Sequence, residues 1–126
     1  MTTKITQSSY DVVRTTHRID ATGKSMGRLA SAVAQLLSGK GKTSYTRHVD
    51  HGDRVMIEHV AQVKLTGKKL DQKKYYRYSG YPGGLKTTKA SELFEKNPGE
   101  MLRRAIYKML PKNSMRESMM KRLTIK

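Results

Sequence analysis

Arg18-Ile19-Asp20-Ala21-Thr22-Gly23-Lys24-Ser25 is the stretch that decides the fold class. Its first four residues suit a short strand, and its last four suit a turn. Beyond it Leu29, Val33, Leu36 and Leu37 recur at helical spacing, with Ala30 and Ala34 beside them. Ser25 is placed to cap that helix and Gly39 to end it. A strand, a glycine turn and a helix in that order predict the opening of a βαβ unit, and hence an α/β domain.

Upstream, residues 1–16 are rich in Thr, Ser and Gln and lack a period, which predicts a partly flexible extension with Val12 and Val13 docking. They lack the amphipathic Arg-rich helix of a transit peptide. Downstream, residues 39–47 form a basic loop with Lys40, Lys42 and Arg47, followed by the polar turn His48-Val49-Asp50-His51-Gly52-Asp53. Val55-Met56-Ile57 is a strand too apolar for a surface edge. Val63-Lys64-Leu65-Thr66-Gly67 is a further, weaker one. Tyr75-Tyr76-Arg77-Tyr78 and Leu85-Lys86-Thr87-Thr88 flank Ser79-Gly80-Tyr81-Pro82-Gly83-Gly84, which predicts two extended arms joined by a glycine loop.

The last third reads as helical. Ser91 to Lys96 is one short helix. Asn97-Pro98-Gly99-Glu100 supplies a cap, a first-turn proline and a capping-box acid. Met101, Leu102, Ala105, Ile106, Met109 and Leu110 then form one apolar stripe that Pro111 ends. Met115, Met119 and Leu123 predict another helix, which Leu123-Thr124-Ile125 leaves as a final strand. The methionines read as core filler.

The whole chain has 126 residues, 26 Lys+Arg and 10 Asp+Glu, for a formal charge of +16. That length suits one domain with one small core. Cysteine is absent, so disulfides, Cys-based zinc sites and thiol nucleophiles are excluded. No apolar run approaches the roughly 18 residues of a membrane span, and no signal peptide opens the chain. The expected compartment is the cytoplasm, the expected partner a polyanion, and neither a membrane nor a small-molecule substrate is expected.

The charge is uneven. Residues 64–89 hold eight basic residues and one acid, Asp71; residues 103–126 hold eight and one, Glu117. Residues 48–63 carry Asp50, Asp53 and Glu58 against Arg54 alone. This is an apolar scaffold presenting cationic surfaces. Lys and Arg neutralise phosphates, which gives affinity without sequence information. Tyr75, Tyr76, Tyr78 and Tyr81 are interleaved with Lys73, Lys74 and Arg77, and tyrosine can stack on unpaired bases. Strand alternation puts Tyr76 and Tyr78 on one face and Tyr75 and Arg77 on the other, so one pair is expected to pack.

Other motifs fail. Gly23-Lys24-Ser25 ends like a P-loop, but position 18 is Arg where that motif needs glycine. What survives is an anion site at a helix start, with Lys24 and Arg28 nearby, which an RNA phosphate would suit as well as a nucleotide. No GxGxxG supports dinucleotide binding and no GxSxG elbow supports a hydrolase. His48, Asp50, His51, Asp53 and His59 are metal-ligating types, but they read better as a tight turn in which an Asp bonds the backbone and Gly52 supplies a positive φ. No metal and no cofactor is expected. Neither is a helix-turn-helix spacing found, as a DNA-binding regulator would require.

Several stretches together resemble one family. They are Ile19-Asp20-Ala21-Thr22-Gly23-Lys24 with Gly27-Arg28-Leu29-Ala30, Gly39-Lys40-Gly41-Lys42, and His48-Val49-Asp50 with Gly52-Asp53. They continue with Lys64-Leu65-Thr66-Gly67-Lys68-Lys69, Tyr75-Tyr76, Ser79-Gly80-Tyr81-Pro82-Gly83-Gly84-Leu85-Lys86 and Met109-Leu110-Pro111-Lys112. In this order, from about residue 17 to the end, they are similar to the universal large-subunit ribosomal protein L13 family in its bacterial form. Asn113-Ser114 and Arg116 depart from the glycine or proline usual there, which predicts an earlier start for the following helix.

The resemblance implies a three-layer α/β/α fold with a small, mainly parallel four-stranded sheet and, with the arms above, a basic hairpin-like extension. It implies a non-enzymatic protein that binds large-subunit rRNA, lies among neighbouring large-subunit proteins in the cytoplasmic ribosome and supports early assembly. Residues 17–126 would be one RNA-binding domain. The candidate contacts are Lys24, Arg28, Lys40, Lys42, Arg47, His48, Lys68, Lys69, Lys73, Lys74, Arg77, Lys86, Arg103, Arg104, Lys108, Lys112, Arg116, Lys121 and Arg122 for phosphates. Tyr75 and Tyr81 are candidates for stacking or sugar contacts.

Overall fold

A computed structural model describes residues 12–126; the expectation for residues 1–11 lies outside them. The predicted opening forms as strand β1 (Thr16–Asp20) and helix α1 (Met26–Ser38). Strand β2 (Arg54–Glu58) pairs parallel to β1, and the C-terminal strand β5 (Leu123–Ile125) pairs parallel to the other edge of β2, so β2 is central. The register aligns Ile19, Ile57 and Ile125, and His17, Val55 and Leu123, on one face. Against that face lies the core, built on Leu29, Val33 and Leu37 of α1 and on Met101, Leu102 and Ile106 of helix α4 (Pro98–Met109).

Two parts of the expected architecture change. Among the described residues the sheet has three parallel strands, not four. After β2, His59 takes a left-handed φ of 58° and a 3₁₀ turn (Val60–Gln62) follows, which uses up the chain that a fourth strand would need. Lys64 still reaches the sheet end, but as one isolated bridge to Ser25. Nor are there three layers among the described residues. Arg18, Met56 and Thr124 share the second face, where Arg18 and Thr124 are exposed and Met56 is half-buried. The helices bury only the first face.

Between the sheet strands lies an antiparallel hairpin of β3 (Lys74–Tyr78) and β4 (Leu85–Lys89), preceded by the short helix α2 (Lys69–Gln72) and followed by α3 (Ala90–Lys96). Asn97 ends α3 and starts α4. Its N–H donates to Leu93 (2.8 Å), while its side chain accepts from the Glu100 N–H (3.2 Å). With the Asn97 N–H already taken, the Glu100 carboxylate turns to Arg104 (3.0 Å) and the capping box is half formed. Helix α5 (Arg116–Lys121) starts no earlier than the methionine period suggested. Asn113 donates to Pro111 (3.0 Å) and Arg116 to Asn113 (3.3 Å), so Asn113-Ser114 forms turns, not helix. Met26, Met101 and Met119 are buried as expected of filler, whereas Met109 is exposed. Among the described residues no helix is long and apolar enough to cross a membrane.

Candidate nucleic-acid interface

The acids must be placed before the cations can be counted. Asp50 and Asp53 lie in the loop that returns from α1 to β2, packed under the end of α1. That end has no basic residue in its last turn. Its carbonyls are met instead by distant donors. The Asp53 N–H reaches Leu36 O (3.0 Å), and the Arg122 guanidinium reaches Leu37 O (2.9 Å). A cation at a helix C-terminus is favourable, because the macrodipole ends negative there. The same guanidinium holds both Asp50 oxygens, one at 2.7 Å. Arg14 donates to the carbonyls of Gly52 and Asp50.

Asp53 has its own set: Lys42 Nζ at 2.6 Å, His17 Nε2 at 2.9 Å and the Thr15 N–H at 3.2 Å. Residues 14–16 are therefore tied into the fold, and β1 starts one residue before the expected domain boundary. Burial alone would raise the Asp53 carboxyl, but the bonds from Lys42, His17 and Thr15 outweigh it and hold it well below the usual carboxylate range. Asp20 is pushed down to about 2, chiefly by the Thr22 N–H and hydroxyl, with His59 adding to it. Both carboxylates already face donors, and among the described residues no three His, Asp or Glu side chains converge to hold a metal ion. Gly52 does not have the expected positive φ; it is glycine because the loop passes directly against Leu37.

A pH dependence follows from Asp53. A carboxyl whose folded pKa is depressed adds stability that is complete above its unfolded value, near 3.8, and is lost progressively as pH falls from there through the lower folded value. The urea midpoint of the wild type should drop between about pH 4 and 2. Asp53→Asn should be less stable at pH 7 and show a shallower drop, the remainder coming from Asp20. An identical acid profile in both proteins would remove Asp53 as its source.

With the acids accounted for, the cations separate into two groups. Arg122 is largely buried and committed to Asp50, Leu37 and Asp53, so it is an internal tie and not the phosphate contact expected of it. Lys42 is half-buried on Asp53 and the Val13 carbonyl. Arg116 lies over the Tyr107 ring, 4.4 Å away, and donates to Pro111 O. The exposed group is larger. It contains Lys40, Arg47 and His48 on the loop, and Lys68, Lys69, Lys73, Lys74, Arg77 and Lys86 from α2 through the hairpin. It also contains Arg103, Arg104 and Lys108 on α4, with Lys112 and Lys121 beyond. Of these only Arg104 forms an ion pair among the described residues, with Glu100.

Tertiary packing brings three of these stretches together. Thr66, Gly67, Lys68, Lys69, Gln72 and Lys73 line a surface concavity of about 620 Å³ that holds no acid. Lys73 leads from it into β3, and Lys73 Nζ and the Arg104 guanidinium each lie 5.3 Å from the centre of the Tyr75 ring. Tyr75 is thus the joint between hairpin and α4. It is half-buried, and that burial raises its phenol above its ordinary value despite Arg104. Tyr81 is 76% exposed. Tyr76 and Tyr78, not among the candidates, are exposed as well, and alternation in the sequence already placed them opposite Tyr75.

The helix-start anion site is mostly closed. The N–H groups of Gly23, Lys24 and Met26 donate to Gln62, Ala21 and Lys64 at 3.0–3.1 Å. Lys24 and Arg28 remain exposed as cations.

A family model described as ribosomal protein L13 matches residues 14–125. The chain is 50% identical over 115 residues to the large ribosomal subunit protein uL13 of Thermotoga petrophila, covering 91% of this chain and 77% of that one. To the same protein of Thermobifida fusca it is 51% identical over 91% of its length, 77% of the relative's. To that of Exiguobacterium sibiricum it is 49% identical over 99% of its length, 86% of the relative's.

Proposed function

The chain belongs to the ribosomal protein L13 family, and from that premise we propose that it is a structural constituent of the large ribosomal subunit that binds large-subunit rRNA and supports early subunit assembly. The family is one of structural ribosomal proteins, not enzymes. The observation that carries the binding reading is the separation of charges. Asp50 and Asp53 are satisfied inside, while Lys68, Lys69, Lys73, Lys74, Arg77, Lys86, Arg103 and Lys108 stand exposed with no acidic partner among the described residues.

The mechanism is electrostatic and geometric. The folded core holds three cationic stretches at fixed spacing, so one protein can bridge RNA segments that repel each other. A-form RNA hides its base edges in a deep groove, so contacts fall on phosphates, 2′-hydroxyls and unpaired bases. The expected partners are rRNA and adjoining large-subunit proteins, in the cytoplasmic ribosome of a bacterium.

Sedimentation of the tagged chain from a lysate at moderate and high salt tests this: it should travel with the large subunit at both. A chain that stays at the top of the gradient at both would overturn it. The salt dependence of rRNA binding locates the surface. Each neutralised phosphate contributes roughly 0.7–0.9 to the slope of log K against log salt. Arg103→Ala with Arg104→Ala should flatten that slope by about one to two units and cost no more than about 1 kcal/mol of stability, because the Arg104–Glu100 pair is exposed and the Arg104–Tyr75 contact is a single cation–π contact whose partner ring stays packed on the core. An unchanged slope would remove α4 from the interface.

A further inference from the structure

The hairpin has two unlike faces. Its register sets Tyr75 opposite Thr88 and Arg77 opposite Lys86 on one face; Lys74, Tyr76 and Tyr78 stand opposite Lys89, Thr87 and Leu85 on the other. The first face docks on the domain through Tyr75. Among the described residues nothing buries the second: Tyr76 is 66% exposed, Tyr78 63% and Leu85 53%. Two-stranded ribbons are marginal in water without a covered face, and a contiguous apolar patch on a small domain marks an interaction site.

The charge on the hairpin says what covers it. Residues 72–91 contain five cations, Lys73, Lys74, Arg77, Lys86 and Lys89, and no acid. None of the five forms an ion pair among the described residues. The register sets Arg77 against Lys86 and Lys74 against Lys89, two like-charge cross-strand pairs that cost stability until an anion lies between them. A polyanion on the exposed face relieves the Lys74–Lys89 pair, which shares that face with Tyr76 and Tyr78. A duplex offers these rings only phosphates and sugars, because its bases are stacked inside, whereas an unpaired strand offers base faces at the spacing of its own phosphates.

We propose that the Tyr76–Tyr78–Leu85 face of the hairpin is a stacking platform for unpaired RNA bases, with Lys74 and Lys89 holding the phosphates of the same strand. This rests on the RNA-binding reading above and narrows it. The hairpin takes single-stranded rRNA, while the cations of α2 and α4 serve backbone of any form.

The test uses the full chain and two probes, a short labelled oligouridylate and a blunt RNA duplex of equal length. Tyr76→Ala with Tyr78→Ala should weaken oligouridylate binding at least about tenfold, since one stacked base is worth roughly 1–3 kcal/mol. Duplex affinity should stay within about twofold. Tyr76→Phe with Tyr78→Phe, which keeps the rings, should bind both probes like wild type and shows that the hairpin still forms. Oligouridylate binding unchanged in the alanine variant would overturn the proposal and leave the face to a protein neighbour. Equal loss on both probes would overturn it in favour of general electrostatics. Wild type that binds duplex but not oligouridylate defeats this inference alone; wild type that binds neither defeats the RNA reading as well.

Discussion

An Arg122→Ala chain should lose about 3–5 kcal/mol of stability, the range seen when one partner of a buried pair is removed. The guanidinium touches both Asp50 oxygens, Leu37 O at 2.9 Å and Asp53 O at 3.3 Å, and its side chain is 12% exposed. Without it, Asp50 keeps the Gly52 N–H and Arg14 in a largely enclosed site, and the Leu37 carbonyl at the end of α1 loses the guanidinium that meets it. Against a total that is ordinarily about 5–15 kcal/mol, this is a large fraction. The check is a urea melt followed by circular dichroism, in which the midpoint should fall with little change in slope. Arg122→Lys should recover only part, because an ammonium cannot meet two carboxylate oxygens and a carbonyl in one plane. An unchanged midpoint in the alanine variant would show that the network is not closed. The point matters for function too: loss of rRNA binding by this variant would report unfolding, not a missing phosphate contact.

Gly52→Ala should be at least as damaging, above about 4 kcal/mol, a size reserved for a few structural mechanisms. A methyl group there would overlap the Leu37 carbonyl and lie 2.5 Å from the Arg122 guanidinium. The first obstacle is backbone of α1, which cannot step aside, and the second is the tie just described. The substitution therefore pushes the loop off the helix end and opens the Asp50–Arg122 pair together. Gly27→Ala is the control. Nothing lies within 4 Å of its added carbon and it is inside α1, so it should be neutral or stabilise by up to about 1 kcal/mol. Soluble yield and urea midpoints of the two variants separate the cases. If Gly52→Ala melts like wild type, the loop does not press on α1 as closely as the structure places it.

These two residues also mark where sequence reasoning stopped. Asp50 and Gly52 were legible as a turn, and Arg122 as one more cation in a basic tail. What joins them is packing across 72 residues of chain between Asp50 and Arg122, and no periodicity carries that. The fourth strand failed for a related reason. Val63 and Leu65 have strand-like alternation, yet the 3₁₀ turn that begins at His59 leaves only Lys64 in reach of Ser25. Among the tyrosines, alternation separated Tyr75 from Tyr76 and Tyr78 correctly, but composition does not say which side faces the domain. The structure settles that through Arg104, which belongs to a helix read on its own terms.

From the sequence alone came the β–α opening, the helix over 98–109 with its Asn97 cap, the hairpin, the final strand and the uneven basic charge. Those features depend on neighbours a few residues apart: alternation, helical spacing, cap and turn chemistry, and net charge. Tertiary structure alone decided how many strands pair, which sheet face is buried and which cations remain available. Those depend on burial and on partners distant in the chain. Lysine and arginine look alike in a sequence whether they meet a carboxylate inside or stand exposed in water. Only the fold distinguishes Arg122, enclosed by Asp50 and the end of α1, from Arg77, facing outward with no acid beside it.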